Sequence, residues 1–149
     1  MIKIYIIIFL GLASFQAVCQ NEVDVTEVMC WGRICELTEK QLNKCGPIKL
    51  AFATSSSEAE QLANEDIANG TIFLLLAGGI SPTIIATDAA FERKYDIYFN
   101  EFGCTGPEYE LVTAYNSVVF EYLTQQYGKG WYKEIRKDVV GLKDWKKKD

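Results

Sequence analysis

Apolar and polar positions fall into short blocks along this chain, and the period changes from block to block. Val28, Trp31, Ile34 and Cys35 recur at helical spacing, and Thr38-Glu39-Lys40-Gln41 has the form of a capping box with Leu42 as its apolar contact. Together they predict helix over 26–45 in two pieces, stopped by Gly46-Pro47. The apolar run 48–53 then reads as a first strand, and the serines after it as a turn. Ser57 and Glu60 form a second capping box, opening a helix that runs to about Ala68 and ends at Asn69-Gly70. The run 71–77 reads as a second strand. Its centre, 72–76, is wholly apolar, as expected of a strand covered on both faces in a parallel sheet. Gly78-Gly79 turns the chain, and Ser81 as N-cap with Pro82 in the first helical position predicts a helix to about Arg93. A third strand, 95–102, alternates more and so lies nearer an edge. Pro107 starts the longest helix, with Leu111, Tyr115, Val118, Val119, Tyr122 and Leu123 as its stripe, and Gly128 and Gly130 break it. A last helix carries Trp131, Ile135, Val139 and Leu142 on one face and Lys133, Arg136, Lys137 and Asp144 among its polar positions. Strands alternating with helices give the expected fold: α/β, a small three-layer α/β/α domain with a mostly parallel three-stranded sheet, preceded by a helical segment.

The first residues change the setting. Lys3, an apolar run from Ile4 to Phe15 and a short exit at Ala17-Val18-Cys19-Gln20 have the form of a secretory signal peptide. The run is too short for a membrane span, which needs about 20 residues. Cleavage after Cys19 would place small residues at the two recognised positions and leave 20–149 as a single domain, secreted or periplasmic. Lipid attachment to Cys19 is the competing reading, and Val18 stands where that signal needs a small residue. Losing Lys3 takes the net charge from −5 to −6. An acidic chain is a poor nucleic-acid binder. The charge is uneven: 20–92 holds eleven acidic and four basic residues, 129–149 eight basic and four acidic. The basic end reads as a solvated helix face, or as a place for contact with an anionic membrane surface.

Cysteine and histidine bound the chemistry. Cys30, Cys35, Cys45 and Cys104 remain after cleavage, an even number in an exported chain, and are candidates for two disulfides. Cys30 and Cys35, five apart on a helix, point in different directions. Cys45 could close a helical hairpin with either. Cys45 and Cys104 lie at opposite ends of a parallel sheet and should not pair. The chain has no histidine, which removes Ser-His-Asp and Cys-His catalysis and His-ligated zinc or haem. No Cys-x-x-Cys pair is present, and neither a metal nor a cofactor is expected.

In open parallel sheets ligands bind beyond the carboxyl ends of the strands. There the sequence places Ser55, Ser56 and Ser57, then Gly78, Gly79 and Ser81, then Cys104, Thr105 and Gly106. These small residues lead into helix N-termini, which offer free N–H groups to an anion. Capping and tight turns require the same residue types, and no phosphate-loop or dinucleotide glycine pattern occurs. Cys104, beside a helix start, is the candidate nucleophile. Asp88, between Ile84 and Phe91 at helical spacing, is the candidate acid or base, with Glu108 as its alternative. The bland reading puts Asp88 at the margin of the stripe, in reach of water. Glu92, Arg93 and Lys94 read as ordinary surface charge.

The segments Phe91-Glu92-Arg93-Lys94-Tyr95, Phe102-Gly103-Cys104, Tyr127-Gly128-Lys129-Gly130-Trp131 and Ile135-Arg136-Lys137-Asp138-Val139-Val140-Gly141-Leu142 resemble a group of small uncharacterised exported bacterial proteins. The resemblance covers roughly the last 60 residues. It implies an extracytoplasmic bacterial setting and no particular chemistry, so no residue role follows from it. The leading expectation is a non-catalytic exported domain that binds a partner protein or small ligand in the cell envelope. The alternative is an enzyme with a Cys104 thiol nucleophile and an anion-binding rim.

Overall fold

The computed structural model describes residues 32–81 and 83–148. The signal-peptide reading, Cys19, Cys30 and Pro82 lie outside these described residues.

The chain opens with a 3-10 turn, Arg33–Glu36, and the predicted capping box is present. The Thr38 hydroxyl accepts from the Gln41 N–H at 3.3 Å while the Gln41 side-chain oxygen accepts from the Thr38 N–H at 2.9 Å, opening α1 (Glu39–Leu42). Gly46-Pro47, expected to stop the helical segment, instead opens α2 (Gly46–Leu50), so the first predicted strand does not form. Proline in the first turn of a helix has no N–H to lose, and its fixed φ suits that turn. A six-residue apolar run cannot by itself separate strand from helix. Leu50 is buried by α2, whereas Phe52 just beyond it is 82 % exposed.

Helix α3 (Ser56–Asn69) begins two residues earlier than the Ser57–Glu60 box implies. Ser55 is its cap, accepting from the Glu58 N–H, and the Glu58 carboxylate accepts from the Thr54 N–H at 2.7 Å. Gly70, with φ 69°, ends it in the left-handed region, where glycine has no Cβ to clash. Ala59 and Ala63 are buried, and α3 packs on α5 more extensively than any other pair of elements pack.

Strand β1 (Phe73–Leu76) is buried along its whole length and pairs in parallel with β2 (Tyr98–Glu101), Phe73 opposite Tyr98 and Leu76 opposite Glu101. On its other side β1 meets a single antiparallel bridge, Leu76 to Val139. The Ala77 N–H donates to the Asp138 carbonyl there, and the Val140 N–H donates to the Leu75 carbonyl. Among the described residues the sheet has two strands, and the three-layer domain with a three-stranded sheet is not what forms. Helices dominate instead, and a one-residue bridge stands where another strand would add its ladder.

The helix expected from Ser81 starts only at Asp88, as α4 (Asp88–Tyr95), leaving 77–81 and 83–87 irregular. The long helix α5 (Tyr109–Tyr127) buries Leu111, Tyr115, Val119 and Leu123 of the predicted stripe. Fully buried Asn116 on α5 holds β1 in place. Its side-chain oxygen accepts from the Leu75 N–H at 3.0 Å, and its amide nitrogen donates to the carbonyls of Leu75 and Val140 at 2.8 and 2.9 Å. The predicted last helix divides into a 3-10 turn (Gly128–Lys133), the stretch carrying Val139, and α6 (Leu142–Lys148). Trp131, Ile135, Val139 and Leu142 are nevertheless all buried, with Trp131 stacked on Phe120.

Candidate functional site

Because β1 and β2 run in parallel, the loops leaving them emerge at the same edge and touch. Gly78 lies so close to the second loop that a Cβ there would sit 2.1 Å from the Gly103 carbonyl oxygen, so this position admits only glycine. Between the loops and the start of α5 is a cavity of about 260 Å³. Its walls are the side chains of Leu76, Phe102, Val112 and Val140 and the backbone at Gly78, Gly103 and Gly106. Among the described residues Tyr109 is the one with a polar side chain in its lining, and none of the lining residues is charged. The loop that continues from it, 77–87, contains no charged residue, and Ile80 on that loop is 98 % exposed.

Two of the three expected loops therefore meet, and the third does not. With helix where the first strand was predicted, Ser55, Ser56 and Ser57 do not line this cavity, and the Ser55 hydroxyl serves as the α3 cap. Gly78 and Gly106 line the cavity; Gly79, Ser81 and Thr105 do not. The amides expected to face an anion already face one. Glu101, the last residue of β2, accepts from the Gly79 N–H at 3.2 Å and from the Thr83 N–H at 3.4 Å. A carboxylate of the chain itself thus fills the glycine loop, a pairing that the loop sequence alone does not signal.

Cys104 is a free, exposed thiol outside the cavity lining, and makes no hydrogen bond with a described residue. Cys45 is also free, and buried, so neither disulfide expected of these two cysteines forms. Cys35 lies in the 3-10 turn at the start of the described chain. Asp88 is half-buried, at the margin of the core, and does not line the cavity. It sits at the first turn of α4, accepts from the Ile85 N–H, and takes the Arg136 guanidinium at 2.8 Å. Arg136 is buried and also forks onto Asp138 at 2.7 and 2.6 Å, which holds the Asp138 carboxyl below its usual range. Glu108 precedes α5 as its N-cap residue and makes no side-chain cap.

Two buried carboxylates were not anticipated. Glu92, read as surface charge, is 1 % exposed and accepts from the Arg33 N–H at 3.0 Å and the Phe99 N–H at 2.9 Å. Asp66 is 2 % exposed. The Gly46 N–H at the start of α2 donates to both of its oxygens at 3.0 and 2.8 Å, and the Tyr115 hydroxyl of α5 donates to one of them. A sequence signal for Asp66 existed: it falls on the Ala59–Ala63 face of α3 at helical spacing. Burial outweighs the hydrogen bonds and pushes its carboxyl up to about 6. Burial and the nearby carboxylate push the Tyr115 phenol well up, and burial raises the neighbouring Cys45 thiol, whose proton points to the Leu42 carbonyl. A thiol so placed stays protonated and is a poor nucleophile.

Among the described residues no helix is long and apolar enough to cross a membrane, and no three carboxylate or thiol side chains converge to hold a metal ion. Comparison with protein-family models, with curated proteins and with solved structures returns no match.

Proposed function

We propose that this chain is an exported, non-catalytic binding domain of the cell envelope that takes an uncharged, apolar segment of a partner protein at the strand-end cavity. One observation carries the reading: among the described residues neither the cavity lining nor the loop leaving it includes a charged one, and that loop holds Ile80 in water. An exposed isoleucine beside an apolar-walled cavity costs solvation that a partner's apolar side chain would recover. Glu101, already seated on the loop amides, turns the same edge away from small anions. Catalysis would need a positioned acid, base or nucleophile, and Tyr109 is the one titratable group in the lining. The export signal and the resemblance of the C-terminal segments support the envelope setting.

The thiol-enzyme reading keeps a single supporting observation, that Cys104 is free and exposed. Titration of the ¹⁵N-labelled protein with N-acetyl-leucinamide, and separately with acetate, decides between them. The expected result is saturable shifts at Gly78, Gly103 and Tyr109 with the neutral amide and none with acetate. Ile80→Asp should weaken that response while leaving the unfolding midpoint unchanged. Acetate binding at these glycines without a response to the amide, or a turnover abolished by Cys104→Ser, overturns the proposal.

A further inference from the structure

A second cavity, about 390 Å³, lies between α1 and the C-terminal end of α3. It is lined by Lys40, Gln41, Lys44, Cys45, Asp66 and Asn69, with Thr71 beside them. Its charge runs against the rest of this half of the chain. Of the four basic residues in 20–92, Arg33 pairs with Glu36 and Asp96, and Lys49 pairs with Glu65. Lys40 on α1 and Lys44 in the turn that follows it make no ion pair with any described residue, and both line this cavity. Two exposed, unpaired lysines share this lining with the buried Asp66 and with an asparagine and a threonine, a polar site distinct from the strand-end cavity.

We propose that this cavity binds a small ligand bearing an oxyanion group, held by Lys40 and Lys44, and that binding is coupled to protonation of Asp66 in its wall. The coupling follows from charge. An ionised Asp66 repels an entering anion, and a neutral one does not, so an anion that binds here draws a proton onto the carboxyl. The groups that face Asp66 leave it as the site of that proton. Tyr115 from α5 and Cys45 from the start of α2 both stay neutral, Lys49 on α2 is tied to Glu65, and Lys40 and Lys44 carry the positive charge. Burial, which pushes the Asp66 carboxyl up to about 6, brings the coupling into the mildly acidic range.

Sulfate is the probe, because its charge is constant over the range. Amide shifts of the full chain are followed at about pH 5.5 and about pH 7.5, where affinity should differ about tenfold in favour of the lower pH. The expected result is saturable shifts at Lys40, Lys44, Asn69 and Thr71, lost in the Lys40→Ala/Lys44→Ala double variant. Asp66→Asn should bind equally at both pH values. If that variant does not fold, the Asp66 carboxyl carbon can be titrated in the wild-type chain, where sulfate should raise its pKa. Displacement of sulfate by acetate assigns a carboxylate-bearing ligand, and displacement by methyl phosphate alone a phosphorylated one. Shifts spread over Lys143–Lys148, shifts indifferent to the double variant, or displacement by neither competitor overturn the site. Equal wild-type affinity at the two pH values overturns the coupling.

Discussion

Two cavities of this domain use the same pairing, a carboxylate on backbone N–H groups, to opposite ends. At the strand-end edge Glu101 clasps the Gly79 and Thr83 amides at a partly exposed position, and the cavity beside it is lined by hydrocarbon, backbone and one phenol. Between α1 and α3 the carboxylate is Asp66, which clasps the Gly46 amide in the core beside a thiol and a phenol, in the wall of a cavity that two lysines also line. The difference is burial. In contact with water the pairing shapes a loop. Removed from water it joins three helices and becomes a group whose proton is part of the folding equilibrium.

The largest effect should come from breaking the strand-end side. Asn116→Leu keeps the shape but leaves the Leu75 N–H and the Val140 carbonyl each short of a partner on a fully buried strand. A loss of about 3 kcal/mol is expected, read as a fall in the urea midpoint at unchanged slope. Next is the pH dependence of the helical side. Folding raises Asp66 from its ordinary 3.8 to about 6, so between those values the folded chain holds a proton that the unfolded chain has released. Stability should therefore fall as pH rises from about 4 to about 6, by up to roughly 3 kcal/mol, and then level off. Asp138, lowered by Arg136, acts in the opposite sense: its contribution is present above the ordinary aspartate pKa and lost as pH falls through its lower folded value. Thermal midpoints should peak near about pH 4, and Asp66→Asn should remove the fall above the peak while keeping the acid limb. A midpoint that rises between about pH 4 and 6 would contradict the assignment of Asp66. The smallest perturbation compares the two thiols. In native protein Cys104 should react with a disulfide reagent at least about a hundredfold faster than Cys45, and urea should erase the difference. Equal native rates would show that Cys45 is not enclosed.

Much of the frame was legible where a residue's own local chemistry decides the outcome. The Thr38–Gln41 capping box, the fully apolar β1 and the α5 stripe needed only neighbouring residues to specify them. The errors arise where a distant partner decides. Gly46-Pro47 suits a helix start as well as a stop, and it became a start because the Gly46 N–H found Asp66 twenty residues away. Without that strand, Ser55, Ser56 and Ser57 lost their place at the rim. Ser81 could not open a helix across 77–87, where Glu101 holds the Gly79 and Thr83 amides in an irregular path. Glu92, flanked by Arg93 and Lys94, reads as surface in every local window. Its burial depends on the amides of Arg33 and Phe99, which no local pattern brings to it.

A sheet of two strands would ordinarily offer open flanks to any passing extended chain. Here each flank is partly covered among the described residues: the Val139 bridge lies along β1, the Arg33–Glu36 3-10 turn packs against β2, and the Glu92 carboxylate takes the outward Phe99 N–H. That cover opposes polymerisation through the sheet and leaves a partner strand few backbone groups to pair with. Recognition is left to side chains and cavities, so specificity in this protein rests on the fit of a group into a wall and not on the backbone ladder that any sequence can supply.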